Sequence, residues 1–262
     1  MSSVLAALWS EALKARRSKV FVVTVILFAF VGLMMGLLTF VVKHPEIAGR
    51  STTISAKASA LGNADWPSFL SLLIQTILAL GSLGYGIVTS WIFGREYSDR
   101  TLKDLLALPV PRSGIVAAKF IVVVIWSVIL SLVLFVAALI TGLAVGLSGW
   151  SGALVQHAFI TFSVSALLTI LLCTPVAFIA SASRGYLLPV GVVILLLVMT
   201  QLVGMAMPGA MAYFPWAIPA ICSGVAGSAL PPAGLVSWIV LGLTSVFGYW
   251  GTVAWWNLAD QS

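Results

Sequence analysis

Charge is scarce in this chain. Asp, Glu, Lys and Arg together make up 8% of its 262 residues, against 61% apolar types, whereas soluble domains carry ~25% charged residues. That balance excludes a water-soluble catalytic domain. Cysteine is nearly absent: Cys173 and Cys222 supply no disulfide framework, and neither a C-x-x-C pair nor zinc-ligand spacing occurs. No G-x-x-x-x-G-K-[ST] loop is present to cradle nucleotide phosphates, no H-E-x-x-H to hold a zinc and its base, and no G-x-S-x-G to present a serine nucleophile. His44 and Glu46 form a pair without a third ligand, and His157 stands alone. Catalytic, cofactor and metal residues are therefore all assigned as none, and a catalyst is not the expectation.

What the chain has is length in apolar runs. A helix needs ~20 apolar residues to cross a 30 Å hydrocarbon core, and six uncharged runs meet that length: 20–42, 69–93, 120–147, 154–180, 187–207 and 235–256. Runs such as Phe120-Ile-Val-Val-Val-Ile-Trp126 are apolar on every side, without the alternation that a β-barrel strand shows. The expected fold is all-α, a polytopic membrane protein of six transmembrane helices forming one domain over residues 1–262. Trp66, Trp91, Trp150, Trp238, Trp255 and Trp256 gather near the run ends, where an amphipathic ring sits among headgroups.

The formal net charge of +6 reads as topology and not as a nucleic-acid surface. Ten of the thirteen Lys and Arg lie before the first run, between the second and third, or between the fourth and fifth; only Lys43, Arg50 and Lys57 lie on the other side. The positive-inside rule then places both termini in the cytoplasm, with the chain in a bacterial plasma (inner) membrane. Before the first run, Leu5, Leu8, Trp9 and Ala12 recur at helical spacing with Ser3, Ser10, Lys14 and Arg17 opposite. This pattern predicts a helix over 1–19 lying on the cytoplasmic membrane surface and contacting lipid.

The densest charge lies in the loop over 94–113. There Ser98 or Thr101 can cap a short helix, Asp104 stands three residues after Thr101, and Pro109 and Pro111 stop it. Leu102, Leu105 and Leu106 share one face, which either rests on the bilayer and bundle or docks a partner. The string Arg95-Glu-Tyr-Ser-Asp-Arg-Thr-Leu-Lys-Asp-Leu-Leu-Ala-Leu-Pro-Val110, with Arg112 and Lys119 following, resembles the signature of type 2 ABC exporter permeases, and especially the bacitracin and lantibiotic export or immunity branch. The resemblance implies that this loop is a coupling helix seated on a separate ABC-type ATPase subunit, which binds the ATP. It further implies that Glu96, Asp99, Thr101, Leu102, Leu105, Leu106, Pro109 and Arg112 meet that ATPase, and that two six-span subunits, identical or paralogous, make one pore.

From Pro208 to Ala233 the chain has five prolines and no charged side chain. Such a segment predicts short helices dipping back into the outer leaflet, acting either as an exit gate or as a brace. Two glutamines interrupt the apolar runs, Gln75 with Thr76 and Gln201 with Thr200, each roughly 9 Å below the outer surface. A glutamine facing lipid is costly, so each either makes an inter-helix hydrogen bond or contacts a substrate; in the second case Gln75, Thr76, Thr200 and Gln201 are the polar sites of one substrate path. An uncharged path suits amphipathic or hydrophobic cargo. Gly32-x-x-x-Gly36 and Gly142-x-x-x-Gly146 permit close helix approach, inside the bundle or between subunits. The leading functional expectation is an exporter's permease subunit. A self-sufficient carrier is disfavoured because no Asp, Glu, Lys or Arg lies inside the six runs, and a non-transporting anchor or sensory scaffold is the remaining alternative.

Overall fold

A computed structural model describes residues 3–44, 63–99, 101, 110–225 and 232–258. Among them the architecture is helical, with a single isolated bridge between Asp65 and Ser148 and no strand. Six helical segments are long and apolar enough to cross a membrane, at 19–43, 66–98, 112–145, 152–182, 187–206 and 235–258. All six coincide with the apolar runs and overshoot several of them. The overshoot reflects helices that continue past the hydrocarbon core: the third span's 34 residues extend roughly 51 Å at 1.5 Å per residue.

Helix α1 (Ser3–Arg16) turns through Arg17 into α2 (Lys19–Lys43), where the Ser18 hydroxyl accepts from the Phe21 amide and caps the first turn. The second span begins as α3 (Trp66–Thr76), started by the Asp65 carboxylate on the Ser68 amide. It widens into a π turn at Ile77–Gly81 and resumes as α4 (Ser82–Ser98). Helix α5 (Arg112–Val145) is the long third span and ends at Gly146, whose left-handed φ of 66° suits a residue without Cβ. Lys43 donates from Nζ to the Val145 and Gly146 carbonyls at 2.8 and 2.7 Å, placing a cation on a helix C-terminus.

The fourth span is broken. It runs as α6 (Gly152–Leu171) and α7 (Thr174–Ala182), with Pro175 in the first turn of the second piece, where a missing amide hydrogen costs least. Helix α8 (Leu187–Ala206) is the fifth span. The chain then folds through two 3₁₀ turns, Pro208–Tyr213 and Pro215–Ala217, into the short α9 (Ile218–Ser223) before the sixth span, α10 (Leu235–Leu258).

Close helix approach uses glycine as the spacing suggests, and it does so within the chain. Gly32 lies against α5, where an added Cβ would meet the Ala137 Cβ at 2.7 Å, and Gly36 abuts Thr141. Thr141 also donates to the Gly32 carbonyl at 3.2 Å, and Trp126 Nε1 to Thr24 Oγ1 at 3.1 Å, so α2 and α5 are zipped along their length. Gly142 faces Trp66 and Phe69. Across the bundle, Gly248 of α10 abuts Thr174 and Pro175, and Thr174 donates to the Ser245 carbonyl at 2.8 Å. In the core between α4 and α5, the Tyr85 and Ser131 hydroxyls pair at 2.6 Å.

Helix α1 presents one face outward and one to the bundle. Trp9 is 68% exposed, and Leu5 and Ala12 are exposed beside it, while Glu11 and Ala15 face the bundle and Leu8 packs partly against the core. An outward apolar stripe of this kind has lipid as its natural surroundings. The inward carboxylate needs a partner, and it has two.

Candidate functional site

Two places combine polar chemistry with structural constraint, one at the lysine- and arginine-rich end of the bundle and one toward the opposite end.

The latter is a half-open cavity of about 630 Å³. Its walls come from α3 and the π turn, from α8, and from the 208–225 segment. Gln75, Thr76, Thr200 and Gln201, from two spans distant in sequence, all line it. The threonine hydroxyls are already bonded to their own helices, Thr76 to the Leu72 carbonyl at 2.8 Å and Thr200 to the Leu196 carbonyl at 2.7 Å. The two glutamines are exposed, and among the described residues neither carboxamide has a hydrogen-bond partner within the protein. Amides left free toward an enclosed space are available to a ligand or to water.

Around them the lining is Leu78, Ala79, Leu197, Met205, Met211 and Trp216, with the Ser82 hydroxyl and no ionisable side chain. Two methionines give the wall adaptable, polarisable surface. Trp216 also lines a small neighbouring cavity with Val176, Val193 and Leu197. Leu197 lies ten residues into α8, or about 15 Å along its axis, so the segment after α8 folds back to the middle of that helix. Ser237 of α10 holds it there, donating to the Ala212 carbonyl at 2.8 Å. Ile218 is buried with Leu168, Leu172 and Leu241.

The place at the basic end is a buried ion cluster. Lys119 is 0% exposed, and its ammonium meets Glu96 Oε2 at 2.6 Å, Glu11 Oε2 at 3.0 Å and the Ile92 carbonyl at 3.1 Å. Lys14 closes the set, 2.7 Å from Glu11 Oε1 and 3.3 Å from Glu96 Oε1. The Arg95 guanidinium adds a third cation at the rim, 3.8 Å from Glu96 Oε1, so each buried carboxylate has more than one counter-charge, which is the condition for burying it. Phe93 and Trp256 flank Lys119, their ring centres 6.0 and 5.9 Å from Nζ. Burial pushes the Glu11 carboxyl up, and the charges of Lys119 and Lys14 more than reverse this, holding it below the ordinary carboxylate range. The cluster joins α1, the end of α4 and the start of α5.

The loop over 94–113 connects α4 to α5, and its residues fall into different settings. Glu96 is 1% exposed, inside the cluster. Asp99 and Thr101 are exposed, with the Thr101 amide donating to the Glu96 carbonyl at 3.1 Å. Arg112 is half-buried and donates from Nη1 to the Trp256 carbonyl at 3.0 Å, while Trp256 Nε1 donates to Ser181 Oγ at 3.0 Å. Leu102, Leu105, Leu106 and Pro109, and with them the expected short helix, lie outside the described residues. At the same end, Gly94 is pressed against the turn before α8, where a Cβ would come within 2.6 Å of the Gly185 carbonyl carbon.

Glu11 has no place in the sequence reading of this end. A signal existed: Leu8, Glu11 and Ala15 follow i, i+3, i+7, one helical face shared by a carboxylate and two apolar residues. The contribution of Trp216 had no local signal, because it depends on the fold-back of an irregular segment.

Comparison with known proteins accords with this architecture. Residues 7–201 match the family model described as ABC-2 family transporter protein. The chain is also similar to the bacitracin transport permease protein BCRB of Bacillus licheniformis, with 30% identity over 196 residues, covering 74% of this chain and 91% of that protein.

Proposed function

The chain belongs to the ABC-2 family of transporter proteins and is a multi-pass permease subunit; from that premise we propose that it moves an amphipathic or hydrophobic molecule out of the cell, driven by a separate ABC-type ATPase. The cargo reading is carried by the cavity. Its walls pair two free carboxamides with leucine, methionine and tryptophan and hold no charged group, a lining that suits a molecule with apolar bulk and uncharged polar groups. The similarity to a bacitracin transport permease favours a peptide antibiotic, with drugs and lipid-like molecules as neighbouring chemistries.

Energy enters at the opposite end. ATP binding can move a permease only through contacts that differ between two states of its partner. In this reading the 94–113 loop supplies those contacts: Leu102, Leu105, Leu106 and Pro109 dock on the ATPase together with the exposed Asp99 and Thr101, while the buried Glu96 and the half-buried Arg112 tie the loop to the bundle. The basic end then faces the cytoplasm, with both termini there and the protein in the bacterial plasma membrane. In this reading the 208–233 segment, of which 226–231 lie outside the described residues, is a re-entrant element on the exit side. Two permease copies, or one and a paralogue, complete the pore.

Isolation of the intact complex from membranes tests this. A Walker-motif ATPase should co-purify in near-equal amount, and replacing Leu105 and Leu106 by Asp should abolish co-purification while leaving membrane insertion intact. Normal association in that double variant refutes the docking assignment. Flux of cargo into vesicles containing only this chain, without nucleotide, refutes the whole reading in favour of a self-sufficient carrier.

A further inference from the structure

The second span changes its winding in the wall of the cavity. Between Thr76 and Ser82 it opens into the π turn Ile77–Gly81, and Leu78 and Ala79 of that turn line the cavity with Gln75, Thr76 and Ser82. Both shoulders carry a hydroxyl bonded back to the helix, Thr76 to the Leu72 carbonyl and Ser82 to the Leu78 carbonyl at 2.6 Å. Nothing in the composition enforces this winding. Ile-Leu-Ala-Leu-Gly contains no proline, and leucine and alanine are strong α-helix formers. Short π turns inside α-helices are rare and occur frequently at functional sites.

The turn alters what the wall can present. At about 100° per residue in a plain α-helix, residues 75, 78, 79 and 82 fall in one arc of roughly 100°, with position 76 outside it. Here Thr76 shares the lining. The helices on either side are fixed independently: α3 buries Trp66 and Phe69, and α4 buries Tyr85 and Glu96. Neither flank can rotate freely to absorb an extra residue, so the surplus residue remains as the widened turn.

We infer that the π turn is a one-residue insertion that shapes the cavity wall and determines which molecules the cavity accepts. The inference rests on the reading of the cavity as the cargo site. It makes an unusual structural prediction. Deleting one residue from a regular transmembrane helix rotates everything on one side by about 100°. Deleting one residue from this turn instead returns it to α-helix and leaves α3 and α4 in register.

The test compares deletion of Ala79 with deletion of Ile87, which lies in the regular helix α4, in the full chain co-expressed with its ATPase. Membrane level, ATPase co-purification and protection of cells against bacitracin, nisin and a neutral macrolide are measured. The Ala79 deletion should reach the membrane within twofold of the wild type and retain the ATPase, yet shift its protection profile at least fourfold for one probe relative to the others. The Ile87 deletion should be lost from the membrane. An unchanged profile overturns the inference, and so does loss of the Ala79 deletion to the same extent as the Ile87 control, which makes the turn a requirement of folding. A wild-type chain that protects against none of the probes instead refutes the cargo reading, and this inference falls with it.

Discussion

Removing the ammonium group of Lys119 while keeping its bulk, as in Lys119→Met, leaves Glu11 and Glu96 facing one another with Lys14, and Arg95 at 3.8 Å from Glu96, as their remaining counter-ions. Each carboxylate now stands about 3 Å from Lys119, an attraction of gross order ~5 kcal/mol per pair at an effective dielectric of ~20. Desolvation of a fully buried ammonium offsets most of that gain, so the expected net loss is about 3–5 kcal/mol, typical of a buried pair broken on one side. Charge bookkeeping then dictates the repair. In Lys119→Met/Glu96→Gln the buried core of the cluster is reduced to the matched pair Glu11 and Lys14, 2.7 Å apart, with the Arg95 guanidinium left over the Trp91 ring at 4.6 Å. That double variant should recover at least half of the loss, although each substitution alone is harmful. The assay is thermal or denaturant unfolding of purified protein in one detergent, as a full double-mutant cycle. Additive losses, or a Lys119→Met variant as stable as the wild type, refute the reasoning.

Other consequences are equally open to measurement. Glu11 has a lowered folded pKa, so its ionisation stabilises the fold above the unfolded carboxylate value of ~4.3. That contribution is lost as pH falls through the lower folded value, and Glu11→Gln should flatten this acid limb in a pH series of unfolding midpoints. Gly32→Val sets a branched side chain against Ala137 and the Ala138 amide, and should cost about 1–3 kcal/mol by overpacking, read from the same unfolding assay. Unaltered stability would show that α2 and α5 do not depend on this approach. Gly94→Ala should displace the Gly185–Tyr186 turn, detectable as faster labelling of Ser183→Cys in a background with both native cysteines replaced. Gln75→Ala should change which antibiotics are expelled without altering ATPase co-purification; an identical profile across the same panel counts against a cargo contact.

The membrane-spanning plan was legible in the sequence because a bilayer imposes a length and a lack of charge that few other environments demand, and the six runs carried both. Gln75 and Gln201 were legible for the complementary reason, since a polar side chain in such a run requires a purpose. With Thr76 and Thr200 they already formed one candidate path, whereas the contribution of Trp216 to the same cavity was not legible, because it depends on the fold-back of an irregular segment. In helix α1 the apolar face was legible and the inward contact was not. Leu5, Trp9 and Ala12 form its exposed apolar side, whereas its single carboxylate points inward to Lys119, a contact that depends on where α5 packs. The π turn left no trace, for Ile-Leu-Ala-Leu-Gly reads as ordinary α-helix.

The two fastenings of the first and third spans have a mechanical corollary. One is the reach of Lys43 to the carbonyls that end α5, and the other is the grip of α1 on Lys119 at the far end. With glycine-to-threonine contact between them, this pair is bolted at top, middle and bottom, and behaves as a single beam. Whatever rearrangement opens a passage must then occur at other seams, chiefly where the fifth span and the folded-back tryptophan segment meet the bulge of the second. A crosslink between α2 and α5 should leave turnover untouched, whereas one between α4 and α8 should arrest it.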